Sequence, residues 1–245
     1  MQTCVTVRTQ AKDLDINGRT VWKRNETNVV IDPTKTALLL CDVWDNHWCR
    51  GAAERLDEMV PRMSEMVEEA RAAGILIIHA PSGTMDRYAD CIARKRMRDI
   101  PVAEPKQHEH DDPPLPIDAS DQGSDTGEAE THRAWSSQHP GIRIDEKRDV
   151  ISDDGKEIYS LLSTRGIGTM LIFGVHTNMC VLHRTFGIKQ MVKWGIDTIL
   201  IRDLTDTMYN PAMRPYVSHE TGTDLVIGYI EKFWCPTVSS SDLLG

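Results

Sequence analysis

Cys180 lies in the segment Gly174-Val-His-Thr-Asn-Met-Cys-Val181, which passes from an apolar strand-like run into a helical one. A thiol at the opening of a helix feels the positive end of the peptide dipoles, which favours the thiolate. Unpaired N–H groups at the same helix end can face an oxyanion, and a base within reach would complete a nucleophile. Two further residues could assist. Asp42 closes the apolar run Thr36-Ala-Leu-Leu-Leu-Cys-Asp42, and Lys147 stands just before the short segment Arg148-Asp-Val-Ile-Ser152. Each has a plainer alternative: an inert buried thiol for Cys180, a loop or helix cap for Asp42 and a solvated side chain for Lys147.

These residues need a frame, and the chain's periodicity supplies one. Short apolar runs of the buried-strand kind fall at 36–42, 75–80, 168–175 and 197–203. Helical spacing falls between them. Met63, Met66, Val67 and Ala70 mark a helix over 61–73, with Pro61 in its first turn and Gly74 as its stop. Ile158, Leu161 and Leu162 mark another at 155–166, and two more are expected at about 180–194 and 222–234. Alternating strands and helices imply an α/β fold: a three-layer α-β-α sandwich around a mostly parallel sheet. In such sheets catalytic groups gather at the carboxyl ends of the strands. Residues 1–35, with the alternating TCVTVRT and the turn signal DING, read as a β-rich N-terminal extension to a single domain over 36–245. The stretch 101–143 is rich in Pro, Gly, Asp and Ser, and reads as a long loop insertion.

Bulk properties narrow the function. The 245 residues carry a net charge of −9, a poor basis for general nucleic-acid or anionic-membrane binding. A small-molecule substrate is the expected partner. No run of apolar residues is long enough for a membrane span, and the N-terminus lacks a secretory h-region. The six cysteines form no CxxC pair, which points to free thiols in a reducing cytoplasm. No GxGxxG, P-loop or GxSxG segment occurs, so no nucleotide cofactor and no serine-hydrolase elbow are expected.

Three stretches in order resemble the isochorismatase-like cysteine hydrolases, the family of nicotinamidases, N-carbamoylsarcosine amidohydrolases and ureide hydrolases. They are Ala37-Leu-Leu-Leu-Cys-Asp-Val-Trp-Asp-Asn-His-Trp48, the Lys147 segment running to Gly166-Ile167, and Gly174–Val181. The resemblance covers about Thr36 to Asp206. It implies that Cys180 attacks a carbonyl carbon, that Asp42 takes the thiol proton and returns it to the leaving amine, and that Lys147 orients the pair. It further implies a cis peptide between Val175 and His176, with the N–H groups of His176 and Cys180 facing the oxyanion, a thioester intermediate, and assembly as a homo-oligomer. The sequence departs from the family at Asp42-Val-Trp44, where many members have Asp-x-Gln. It also departs at His79-Ala-Pro-Ser-Gly-Thr-Met-Asp-Arg-Tyr88, which lacks the Asp-x-His metal segment of nicotinamidases. No metal is therefore expected.

Trp44, Asn46, His47 and Trp48 follow Asp42 closely and suit a wall for a small planar substrate. His176 and Thr177 of the cysteine motif are further candidates for substrate contact. His79 reads as a satisfied core histidine, His108-Glu-His110 as part of a solvated loop, and Asp203, Thr205 and Asp206 as support for the site or caps of a turn. The expected reaction is hydrolysis of a C–N bond in a small amide, ureide or imide. The alternatives are an isochorismatase-type C–O hydrolase, a non-catalytic binding protein on the same fold, a metal-assisted hydrolase using His108 and His110, and a thiol redox protein.

Overall fold

The computed structural model describes residues 2–243. The chain opens with a long hairpin, β1 (Thr3–Leu14) and β2 (Thr20–Ile31), paired antiparallel in continuous register. Its turn is held by Asp15, whose side chain accepts the N–H groups of Asn17 and Arg19, with Gly18 at φ 73°.

The core begins with β3 (Thr36–Cys41), every residue of which is buried. There follow α1 (Arg50–Ala73), β4 (Leu76–Ala80), α2 (Ile92–Arg98), a two-residue β5 (Val150–Ile151), α3 (Gly155–Arg165) and β6 (Thr169–Val175). The chain ends with α4 (Ile188–Lys193), β7 (Asp197–Asp206), α5 (His219–Phe233), β8 (Thr237–Val238) and α6 (Ser240–Leu243). The eight strands form one sheet in the order β2-β1-β8-β7-β6-β3-β4-β5. Pairings from β8 through β5 are parallel, and the hairpin joins antiparallel through β1. This is the expected α/β architecture with a mostly parallel sheet.

Alternation along β3 divides the core. Ala37, Leu39 and Cys41 pack on one face with residues of α3, α4 and α5, while Leu38 and Leu40 face α1 through Leu56, Val60, Met63 and Val67. Period-two strands between apolar helix stripes force this layering, and each fully buried leucine contributes about 1.5–3 kcal/mol.

Local signals set the helix ends. Asp154 and Ser218 cap α3 and α5 by accepting the N–H of Glu157 and Thr221. Gly74 and Gly166 stop α1 and α3 in the left-handed conformation.

Three elements differ from the sequence expectation. Helix α1 starts at Arg50, so Pro61 lies in its interior, because Ala52, Leu56 and Val60 extend the buried stripe upstream. The expected helix at 180–194 is broken into one wide π-type turn, Thr177–Val181, and the short α4. The break falls at Gly187, where a Cβ would meet the Val181 carbonyl oxygen at 2.7 Å. Strand β7 runs on to Asp206 rather than stopping at 203.

Candidate active site

Strands β3 and β6 are neighbours, and their carboxyl ends bring Asp42 and the Cys180 segment together. The approach is close: Gly174, at φ 127°, sits against Cys41, and a Cβ there would lie 1.9 Å from the Cys41 carbonyl oxygen. Only glycine fits. Asp42 itself has φ 50°, an uncommon conformation for a side-chain-bearing residue and one found at functional sites.

The Asp42 side chain is fully buried. One oxygen accepts the Ser82 N–H at 2.7 Å, and the other accepts Arg184 Nε at 2.9 Å. The Cys180 thiol lies in hydrogen-bonding reach of the same carboxylate, and the His176 N–H faces the sulfur. The Val175–His176 peptide is cis. Arg184 stands four residues after Cys180, and the two line an open cavity of about 420 Å³ with Asn178, Met179 and His183.

Burial raises the Asp42 carboxyl above the ordinary range, against the opposing pull of Arg184, Cys180 and Ser82. Burial and the Asp42 charge together push the Cys180 thiol far up. Burial works against the charge of Arg184, but Asp42 and Cys180 outweigh it and hold the guanidinium protonated. Burial and the Asp42 charge thus oppose the dipole-stabilised thiolate that the sequence suggests. The segment is one turn rather than the start of a long helix, and a carboxylate sits beside the sulfur. Both effects favour the protonated thiol, with a carboxylate beside it.

Lys147 is not part of this arrangement. It is exposed and lies beside Thr36, Leu76 and Ile167, at the amino ends of the strands. The reason is direction: Lys147 precedes β5, whereas Asp42 and Cys180 follow β3 and β6. The residue that follows β5 is Ser152, which is buried and bonded to His79 and Glu157. Arg184 occupies the position beside Asp42 that Lys147 was expected to fill.

The aromatic residues after Asp42 build a wall. Trp44 stacks on Trp135 at 4.0 Å between centroids, and both indole N–H groups donate to the Ser82 carbonyl. Arg184 lies over the Trp44 ring at 6.0 Å. His47 stacks near Trp135 and Trp48 and meets His176 edge-on at 4.7 Å. Burial drops His47 to about 4 and His176 to about 3, so both imidazoles are neutral at physiological pH. His176 Nε2 is buried without a hydrogen-bond partner among the described residues. Two expected contacts are not of this kind. Asn46 is exposed and, among the described residues, bonds only to the adjacent His47 N–H. The Thr177 hydroxyl is committed to Thr205 at 2.7 Å.

Behind His176 lies a polar network the sequence reading did not assemble. Arg55 donates to Asp206 at 3.0 Å and to Asp125 at 2.6 Å, and His219 bonds Asp206 at 2.8 Å. Burial opposes the charge on His219, but the Asp206 bond outweighs it and raises the imidazole. Asp203 instead holds Ser240. On the other flank His79 is satisfied at both ring nitrogens, by Gln138 and Asp149. His110 stacks on Trp234 at 4.1 Å. Among the described residues no group of three or more His, Cys, Asp and Glu side chains is placed to hold a metal ion.

Comparison with known proteins agrees with this frame. The chain superposes on a cysteine hydrolase from Pseudomonas syringae pv. phaseolicola 1448A with TM-score 0.55 and 18% identity, covering 87% of this chain and 92% of that one. An isochorismatase from Pseudomonas putida KT2440 matches with TM-score 0.52 and 12% identity over 86% and 91% of the two chains. An isochorismatase family protein from Desulfovibrio vulgaris subsp. vulgaris str. Hildenborough matches with TM-score 0.50 and 14% identity over 85% and 96%. At these identities the likeness concerns the fold. No curated protein matches the sequence. The sequence profile of the isochorismatase domain matches residues 36–214, most of the chain, so the protein belongs to the isochorismatase-like hydrolase family.

Proposed function

We propose that the protein hydrolyses a C–N bond of a small amide, ureide or imide through a thioester on Cys180. The observation that carries this reading is the Cys180 thiol beside a buried Asp42 carboxylate that Ser82 and Arg184 hold in place. Asp42 takes the thiol proton as sulfur attacks the carbonyl carbon, and the carbonyl oxygen becomes an oxyanion near the His176 and Cys180 N–H groups. Collapse expels the nitrogen, which leaves with the proton from Asp42. Water then enters, gives its proton to Asp42 and attacks the thioester. The acid product departs and Cys180 recovers its proton.

Arg184 keeps Asp42 ionised until the thiol proton arrives and steadies the negative charge that moves between sulfur, oxygen and carboxylate. The Trp44 and Trp135 faces and the neutral imidazoles of His47 and His176 suit a small, planar, uncharged substrate. A C–O hydrolase of the isochorismatase type needs a proton donor but has no use for a thiol paired with a base.

The test is ammonia or amine release from a panel of small amides and ureides. Release by the wild type and its loss in a folded Cys180→Ala variant are expected. Undiminished release in that variant would remove Cys180 from the mechanism, and turnover of a vinyl ether alone would replace the C–N reading with the C–O one.

A further inference from the structure

At the far end of the sheet from Cys180 the molecule has a second cavity, of about 600 Å³, at the amino ends of β3 and β4. Five basic residues line it: Arg71, Arg96, Lys147, Arg148 and Arg165. Asp149 is the single acidic residue among its walls. That carboxylate is already committed, since it accepts Arg71 Nε and Nη2 at 3.0 and 2.7 Å, His79 at 3.0 Å and the Asp145 N–H at 2.7 Å.

Of the remaining cations, Arg148 alone has a carboxylate partner among the described residues. Arg96 donates to the main-chain carbonyls of Glu146 and Lys147, at 2.8 and 3.0 Å, and to that of Asp149, all of them neutral acceptors. Arg148 pairs with Asp145 at 2.9 Å, outside the cavity walls. The side chains of Lys147 and Arg165 make no hydrogen bond or ion pair among the described residues. Partial burial and the neighbouring Arg96 both act against the charge on Arg165.

Arg71, Arg96 and Arg165 stand in the last turns of α1, α2 and α3, where cations compensate the helix dipole. Compensation of single helices does not explain why three helix ends share one cavity, nor why Lys147 and Arg148 join them. In a chain of net charge −9 this convergence of like charge carries an electrostatic cost that a bound anion removes.

We propose that this cavity binds a phosphoryl dianion. Guanidinium forks match the paired oxygens of a tetrahedral oxyanion, and the volume leaves room for more than one phosphoryl group. Lys147, absent from the catalytic arrangement, then has its role here. The site is independent of the chemistry at Cys180.

The test is calorimetric titration of the full chain with inorganic phosphate and with pyrophosphate at constant ionic strength. Saturable binding of one anion per chain is expected. Tighter binding of pyrophosphate would assign the site to a polyphosphate group, and equal binding to a single phosphoryl group. Lys147→Gln combined with Arg165→Gln removes two exposed side chains and should weaken binding by roughly tenfold or more, with circular dichroism unchanged. Arg24→Gln, which removes an exposed charge on β2, should leave it unchanged. Three results would overturn the proposal: no saturation by either anion at millimolar concentration, binding indifferent to the double substitution, or an equal loss in Arg24→Gln.

Discussion

Replacing Arg184 by Met is the most informative perturbation of the active site. Methionine keeps an unbranched apolar stem but ends short of the guanidinium, so Asp42 loses the cation 2.9 Å from its Oδ2. Asp42 is fully buried, while the Arg184 side chain is 38% exposed. Breaking a buried ion pair costs about 3–5 kcal/mol. Solvent at the arginine screens part of that, leaving about 1–3 kcal/mol. The loss falls on the ionised carboxylate, the form that must accept the thiol proton. Turnover at neutral pH should therefore fall roughly 5- to 150-fold. The pH dependence fixes the sign. Burial raises the Asp42 carboxyl and Arg184 pulls it down, so removing Arg184 raises it further. The acid limb of the rate profile, which follows ionisation of Asp42, should move to higher pH. Alkylation of Cys180 by iodoacetamide, read by mass spectrometry across pH, follows the same proton without a substrate. An Arg184→Lys variant should recover part of the rate, since a cation remains. An acid limb that stays in place in Arg184→Met, with a near-normal rate, would refute the reasoning.

Lys147→Ala should leave turnover and the alkylation profile unchanged, because the residue lies at the opposite end of the strands; a large loss of rate would return it to the mechanism. Trp135→Ala removes the stack on Trp44, a contact of about 0.5–1.5 kcal/mol, and should raise KM roughly 2- to 12-fold with less effect on kcat in steady-state assays. Asp149→Asn strips Arg71 and His79 of their buried partner. At about 3–5 kcal/mol it should lower Tm by about 6–20 °C for a chain of this size. The Asp149 carboxyl is held below its ordinary value of 3.8, because Arg71, His79 and the Asp145 N–H outweigh burial, which acts to raise it. Its stabilisation is thus present above that pH and lost as pH falls below it, so thermal melts of Asp149→Asn should show a weaker acid dependence than the wild type. Gly174→Ala places a Cβ 1.9 Å from the Cys41 carbonyl oxygen and should fail to give a folded, active protein; a normal melt would mean that β3 and β6 can separate.

The order of strands and helices was legible because predominantly apolar runs such as Thr36–Cys41 and Thr169–Val175 admit few other readings. Asp42 and Cys180 were legible for a related reason: Asp42 directly follows one such strand, Cys180 lies in the turn after another, and parallel strands bring their carboxyl ends to one edge. Lys147 was misplaced because β5 is only two residues long, too short to show in the sequence which residues precede the strand and which follow it. Arg184 carried a usable signal, its four-residue spacing from Cys180, which puts two side chains on one face of a helical turn. Trp135 carried none. It reaches Trp44 from an irregular loop whose path depends on scattered contacts, such as Asp45 with Ser136 and Gln138 with His79. The upward push on the Cys180 thiol was equally hidden, since it follows from burial and from a carboxylate distant in sequence.

The most direct test of the central claim is peptide-resolved mass spectrometry of the protein, quenched in acid during turnover of an amide or ureide that releases ammonia. The account predicts an acyl group on Cys180 and on none of the other five cysteines, at a level that falls as substrate is exhausted. Sustained turnover with no adduct on Cys180 at any time, unchanged in Cys180→Ala, would contradict it.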